Sequence, residues 1–233
     1  PTVAYMIAAL RKDEGKFVSQ LVVAKAGSAD PTGAEGWQKT LVEEAAVSCA
    51  GLCDMGEACV YSDPMKKDRL ATQCKKTESG CMPGCKNTQA CLAGKCVDAL
   101  GTPPAAKPEG TGLYARLIRT SSGPVVVFHN NNTGAVKLAA GPDWKVATVD
   151  GGDGKKHVGD YLGAAAAADG TLHIAYGDRD GQLWYRAWKD GMGGKVEVID
   201  NGVRDVGGVQ DVHWVGAGVQ LFLDGDQPVV VYQ

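Results

Sequence analysis

The chain reads as an all-β protein, on two observations. One strand pattern recurs in Pro1-Thr2-Val3-Ala4-Tyr5, Pro124-Val125-Val126-Val127-Phe128, Leu172-His173-Ile174-Ala175-Tyr176 and Pro228-Val229-Val230-Val231-Tyr232, and all eight cysteines fall between Cys49 and Cys96. A β-branched run closed by an aromatic and restarted at intervals marks a repeated, stacked strand unit. The expected fold is a β-propeller of about three and a half four-stranded blades with a disulfide-rich insertion. Residues 1–46 would be a partial blade, 47–110 the cysteine-rich insertion with a Pro-rich linker, and 111–233 further blades, the last incomplete.

Each element has a local reason. In the first copy Gly15-Lys16 leads into a return strand, Phe17-Val18-Ser19-Gln20-Leu21-Val22-Val23-Ala24, and a third strand, Trp37-Gln38-Lys39-Thr40-Leu41-Val42. After Phe128 the Asn-rich His129-Asn130-Asn131-Asn132-Thr133-Gly134 makes a turn, followed by Ala135-Val136-Lys137-Leu138-Ala139 and Trp144-Lys145-Val146-Ala147-Thr148-Val149. After Tyr176 the turn is Gly177-Asp178-Arg179-Asp180-Gly181, then Gln182-Leu183-Trp184-Tyr185-Arg186-Ala187-Trp188 and Lys195-Val196-Glu197-Val198-Ile199. Asn, Asp and Gly suit tight turns, and the aromatics suit a pleated surface. A further strand is expected before the later copies, at residues 113–119, 162–168 and within 209–223. Phe128 and Tyr176 lie 48 positions apart, as do Val158-Gly159 and Val206-Gly207, which fits one blade per unit. The alanines at 164–168 favour helix by propensity. Gly163 before them and Asp169-Gly170 after them leave too little length, so they are expected to form a strand where blades converge.

Outside the cysteine segment the chain holds fewer residues than a closed propeller of four blades needs. It begins within one unit and stops within another, on the apolar run closed by Tyr232. Such an edge is adhesive, so a longer polypeptide is expected, its remainder or a partner protein covering that edge.

The cysteines fall into two similar groups, Cys49-x3-Cys53-x5-Cys59 followed by Cys74, and Cys81-x3-Cys85-x5-Cys91 followed by Cys96. An even count at repeated spacing, in a segment with few large apolar residues, describes a disulfide framework. Structural zinc is disfavoured, because the segment has no Cys-x2-Cys and no histidine. Local spacing favours Cys49 with Cys59, Cys53 with Cys74, Cys81 with Cys91 and Cys85 with Cys96, although spacing alone does not fix connectivity. Disulfides imply an oxidising compartment, extracellular or at the cell surface. The net charge of −3 and pI near 5.8 argue against a nucleic-acid partner. No apolar run is long enough to span a membrane. The basic cluster Lys66-Lys67-Asp68-Arg69 with Lys75-Lys76 reads as solvated surface, and Thr102-Pro103-Pro104-Ala105-Ala106-Lys107-Pro108 as an extended linker.

Val158-Gly159-Asp160-Tyr161, Asp169-Gly170-Thr171-Leu172-His173-Ile174-Ala175-Tyr176 and Asp180-Gly181-Gln182-Leu183-Trp184-Tyr185-Arg186-Ala187 resemble the degenerate propeller repeats of bacterial secreted and cell-surface proteins. Those repeats follow V-G-x-Y, D-G-x-x-H-I-A-Y, D-G-x-L-x-Y-A and a Trp-led last strand. The cysteine groups resemble the small C-x3-C-x5-C-x4-C modules that decorate the same class. The first group departs from that pattern with a stretched last spacing. The resemblance implies a fold and leaves function open.

The reading favoured for function is a non-enzymatic extracellular or cell-surface binding or scaffold module. A carbohydrate-binding propeller is the first alternative. Alternation places Trp184, Arg186 and Trp188 on one face of their strand, where indole stacking and charge-assisted hydrogen bonds suit a glycan. A propeller glycoside hydrolase of sialidase type is the second, and would need facing carboxylates. Asp160, Asp178, Asp180 and Asp211 are the candidates, but Asp178 and Asp180 fit a hairpin turn, and the S-x-D-x-G-x-x-W box is missing. No cofactor or metal is expected, since His129, His157, His173 and His213 are scattered among units. Asp178-Arg179-Asp180-Gly181 and Asp224-Gly225-Asp226 resemble fragments of calcium loops but lack the closing Glu, and read as turns. Asn131-Asn132-Thr133 is formally a glycosylation acceptor.

Overall fold

Strands dominate the chain, as the recurring β-branched runs require. The computed structural model describes residues 1–11, 16–101 and 109–233. In order the strands are β1 (Thr2–Arg11), β2 (Lys16–Ala26), β3 (Trp37–Ala46), β4 (Glu57–Tyr61), β5 (Thr72–Lys76), β6 (Gln89–Leu92), β7 (Lys95–Asp98), β8 (Thr111–Thr120), β9 (Gly123–Asn130), β10 (Ala135–Ala140), β11 (Lys145–Gly151), β12 (Val158–Ala166), β13 (Leu172–Asp178), β14 (Leu183–Lys189), β15 (Met192–Asp200), β16 (Val203–Val206), β17 (Val209–Val212), β18 (Gln220–Asp224) and β19 (Gln227–Val231). Among the described residues the helical content is one 3-10 turn at Ala34–Gly36. Among the described residues no helix is long and apolar enough to cross a membrane. The chain divides into two compact units, one of Pro1–Met6, Leu21–Glu43 and Thr111–Gln233, the other of Ile7–Gln20 and Glu44–Gly110. The second unit takes in parts of β1, β2 and β3. The linker expected at 102–108 lies outside the described residues.

In the first unit, β8 to β11 form a four-stranded sheet in the order β11-β10-β9-β8, and β12 to β15 another in chain order. β1, β2 and β3 form a three-stranded sheet with β2 central, of which Pro1–Met6 and Leu21–Glu43 belong to this unit, and β18 pairs with β19. The sheets bury both faces. Val126 and Phe128 of β9 meet Leu21 and Val23 of β2 on one side. Val125 and Val127 join Leu162, Leu172, Ile174 and Tyr176 of the next sheet on the other. That sheet in turn gives Ala175 and Leu183 to Val219 and Leu221 beyond it. β13 is accordingly buried at all seven positions, without the apolar-polar alternation of a half-exposed strand. The alanine run is strand through Ala166, pairing Ala164 with Ile174 and Ala165 with His173. β12 lies beside both β8 and β18, and a Cβ on Gly163 would stand 3.0 Å from the Leu221 backbone, so small residues are needed there.

Two details of the repeat differ from the sequence reading. In the first sheet it is Leu21 and Val23 of β2 that face Val126 and Phe128, with Ala4 of β1 only at the margin. The partner of Val158-Gly159 is Val215-Gly216 instead of Val206-Gly207. Gly112, Gly159 and Gly216 have φ of 84°, 116° and 90°, and Tyr114, Tyr161 and Gly218, two residues on, have φ of 52°, 51° and 63°. The same doubly left-handed kink therefore opens β8, opens β12 and precedes β18, with ladder irregularities beside it in the first two. Val206 instead ends the first strand of an additional hairpin, β16–β17, exposed at every position, which lengthens the third interval.

Carboxylates near the ends of last strands tether the following sheet. Asp150 accepts a hydrogen bond from the Tyr176 hydroxyl at 2.7 Å, and Asp200 accepts one from Tyr232 at 2.7 Å. Where Phe128 supplies no hydroxyl, Glu43 accepts from Asn130 Nδ2 at 2.9 Å and pairs with Lys137. Burial first, and the neighbouring Asp150 second, push the Tyr176 hydroxyl far above its ordinary pKa. Donation from Arg204, chiefly, holds the Asp200 carboxyl well below the usual range against the opposing effect of burial.

In the second unit the cystines are Cys49–Cys59, Cys53–Cys74, Cys81–Cys91 and Cys85–Cys96, as the spacing favours. Cys59 and Cys74 lie opposite each other on the β4–β5 hairpin, and Cys91 and Cys96 on β6–β7. Each hairpin thereby anchors the loop preceding it through two separate bridges. Phe17, Val47, Ala50, Cys49 and Cys59 form one small apolar cluster. Part of the basic segment is paired: Arg69 donates to Glu109 at 2.7 Å, which also accepts from the Ser48 N–H, and Lys67 meets Asp98 at 2.7 Å.

Because Cys49 and Cys59 are buried in that cluster whereas Cys96 is exposed, the double variant Cys49→Ala/Cys59→Ala should lose about 2–5 kcal/mol in denaturant unfolding. Cys85→Ala/Cys96→Ala should lose less, and mild reductant should release Cys85 and Cys96 first in alkylation mapping. For Asp200 the depressed native pKa makes its contribution complete above the unfolded value of about 3.9 and lost as pH falls below it. The stability difference between the wild type and Asp200→Asn should therefore shrink on acidification from about pH 5 to pH 2, as read by denaturant midpoints.

Candidate functional site

Strand alternation brings Trp184, Arg186 and Trp188 to one face of β14, opposite Tyr176, Ile174 and Leu172 of β13. Trp184 and Trp188 pack at the margin of the core cluster that holds those residues. The Trp184 indole N–H donates to Asp178 Oδ2 at 2.7 Å, and the Lys156 ammonium stands 3.8 Å from a Trp184 ring centroid. Arg186 Nε donates to the Gly194 carbonyl at 2.9 Å, and Nη1 donates to the Val149 carbonyl. The three side chains are together, with these polar atoms bonded to protein groups.

The four candidate acids are dispersed in role. Asp178 is buried, and its Oδ1 accepts from the Asp180 and Gln182 N–H groups, which is how Asp closes a hairpin turn. Asp160 is buried on β12, whereas Asp180 and Asp211 are exposed, Asp211 lying 3.2 Å from His213. His173 faces Tyr185 across the β13–β14 ladder, Nδ1 to hydroxyl 2.6 Å, as a strand residue.

Two of the four histidines, distant in sequence, meet. His129 is the penultimate residue of β9 and His157 precedes β12, and with Asp160 they place one ligand atom each within 4.8 Å of the others. The rings stand edge-to-face with centroids 5.3 Å apart. His129 is fully buried, its Nδ1 3.2 Å from the Ala135 carbonyl and its Nε2 3.4 Å from Asn131 Oδ1 and 3.7 Å from Asp160 Oδ1. His157 Nε2 lies 2.9 Å from the Asn131 carbonyl, and its buried Nδ1 has no hydrogen-bond partner. Arg179 Nη2 donates to Asn131 Oδ1 at 3.0 Å. Burial lowers the His129 pKa to about 4 and also lowers that of His157, so both rings are neutral at pH 7. Tyr114 and Tyr161 flank the cluster with ring centroids 5.3 Å apart, and burial pushes the Tyr114 hydroxyl up to about 12.

The cluster exists because the kink at Gly159 sets the start of β12 against the end of β9. A Cβ at Gly159 would strike His129 Nδ1. The sequence carries the signal in the V-G-x-Y motif, but only the face-to-face stacking of consecutive units shows that its glycine covers the preceding unit's histidine.

In the second unit a groove of about 510 Å³ opens between the two hairpins, lined by Val60 and Tyr61 of β4, Pro64, Lys75 of β5, Leu92 and Val97 of β7. The hairpins are held together beneath it by the Val60–Ala99 bridge and by the Leu100 N–H donating to the Cys59 carbonyl at 2.8 Å.

Gly159→Ala should cost about 1–3 kcal/mol in denaturant unfolding, because the methyl meets the His129 ring and φ is positive. Gly207→Ala, in the exposed hairpin turn with open space around it, should lose less. Equal losses would contradict the close packing described at Gly159.

Compared with known proteins, the chain matches no protein-family model and no curated sequence.

Proposed function

We propose that the chain is a non-enzymatic binding or scaffold module of the cell surface or extracellular space, its stacked sheets the blades of a propeller. The observation that carries the binding reading is the apolar groove between the two disulfide-locked hairpins. A concave apolar site with Lys75 at its margin and the Lys67–Asp98 ion pair beside it suits an apolar anchor residue of a protein partner, flanked by polar contacts. The bridges hold the groove walls before binding, which lowers the ordering cost of association. Four cystines support an oxidising compartment. The propeller reading rests on the sheets that bury both faces and on the adjacency of the first strands β8, β12 and β18.

The carbohydrate reading rests on Trp184, Arg186 and Trp188 sharing a face, and would require their present hydrogen bonds to be exchanged for sugar hydroxyls. The two readings separate cleanly in one comparison. Chemical cross-linking of the intact chain on producing cells, with Val97→Asp and Arg186→Ala variants alongside, should give a partner adduct lost in Val97→Asp and kept in Arg186→Ala. A glycan array run on the same proteins should be blank. Glycan binding that disappears in Arg186→Ala, with adducts indifferent to Val97, would overturn the proposal in favour of a lectin.

A further inference from the structure

We propose that His129, His157 and Asp160 form a divalent-cation site of the zinc class that fastens β9 to the start of β12. The hydrogen bonding of His129 carries the argument. Its Nδ1 faces the Ala135 carbonyl at 3.2 Å and its Nε2 faces Asn131 Oδ1 at 3.4 Å, so both ring nitrogens point at oxygen acceptors. The Asn131 amide cannot resolve this by reversing, because its Oδ1 already accepts from Arg179 at 3.0 Å. A neutral imidazole has one N–H and one lone pair, so either tautomer sets a lone pair against an oxygen. A cation at Nε2 removes the conflict, leaving Nδ1–H to donate to the Ala135 carbonyl, which is how metal-bound histidines are held.

His157 repeats the arrangement independently. Its Nε2–H donates to the Asn131 carbonyl at 2.9 Å, fixing the tautomer, and the remaining nitrogen, Nδ1, is buried without a hydrogen-bond partner. A buried nitrogen lone pair of this kind calls for a ligand or carries a desolvation cost. Asp160 supplies the carboxylate, 3.7 Å from His129 Nε2, and the three residues each offer a ligand atom within 4.8 Å of the others, close enough for a small inward shift to complete the site.

Two imidazoles and one carboxylate match zinc better than calcium or magnesium, which take oxygen ligands. The Arg179 guanidinium beside Asn131 opposes added positive charge, so binding should be weaker than at a thiolate zinc site. Gly159 leaves room for the His129 ring, and Gly134, whose Cβ would stand 2.8 Å from the His157 ring, leaves room for the second histidine. Since the ligands come from two neighbouring sheets, the ion would act as a cross-link.

The test uses the full, untagged chain, dialysed against a chelator and titrated with zinc ion alone by calorimetry. Wild type should take up a single equivalent, and zinc should raise its thermal midpoint. His157→Ala, at a half-buried ring outside the core, and Asp160→Asn should each weaken binding at least about 100-fold, more than loss of an outer-shell partner alone costs, and abolish the thermal shift. In nitrogen-detected resonance spectra zinc should move His129 Nε2 and His157 Nδ1. No uptake by folded wild type, uptake unchanged in His157→Ala, or shifts confined to His173 or His213 would each overturn the site.

Discussion

The first unit depends on one constraint: a sheet sandwiched between two others must be apolar on both faces. β9 and β13 meet it with Val125-Val126-Val127-Phe128 and Leu172-His173-Ile174-Ala175-Tyr176, in which side chains pointing each way are withdrawn from water. Phe128 and Tyr176 are fully buried, and each contributes about 1.5–3 kcal/mol relative to exposure. The same constraint dictates the small residues of β12, where Gly163 and the alanines let first strands of adjacent sheets approach.

Burying both faces creates a second demand, since polar groups at the sheet margins lose water. Tyrosine at the close of the recurring strand answers it by reaching a carboxylate of the preceding sheet, Tyr176 to Asp150 and Tyr232 to Asp200. Phenylalanine at 128 cannot, and there Glu43 turns to Asn130 and Lys137. Each preceding sheet thus offers a carboxylate, and the donor that meets it is a tyrosine hydroxyl in two cases and Asn130 with Lys137 in the third. The second unit solves stability differently. Its apolar cluster is small, and the cystines crossing from each hairpin to the loop before it supply order that burial does not.

Strands, hairpins and cysteine pairing were legible in the sequence because each has a local cause: β-branched runs, Asn and Asp turns, and short loops between bonded cysteines. The register of the third repeat was not. Val206-Gly207 mimics Val158-Gly159 in letters, but it falls in a hairpin exposed at every strand position, and the true counterpart, Val215-Gly216, is recognised only by its burial and by the second positive φ two residues on, at Gly218. The histidine cluster was hidden for the same reason. His129 and His157 are brought together by stacking between consecutive units, and no spacing rule within either unit encodes that approach. By contrast, the common face of Trp184, Arg186 and Trp188 followed from alternation alone, while their attachments to Asp178, Gly194 and Val149 required the fold.

Native-state hydrogen exchange tests the stacked-sheet account most directly. If β9 and β13 are the doubly buried strands on which the unit is built, amides of Val125–Asn130 and Leu172–Asp178 should be the slowest to exchange, opening only with global unfolding. The exposed β16–β17 hairpin should exchange orders of magnitude faster. Protection in β9 and β13 no greater than in β16–β17 would contradict the face-to-face packing from which the rest of the structure follows.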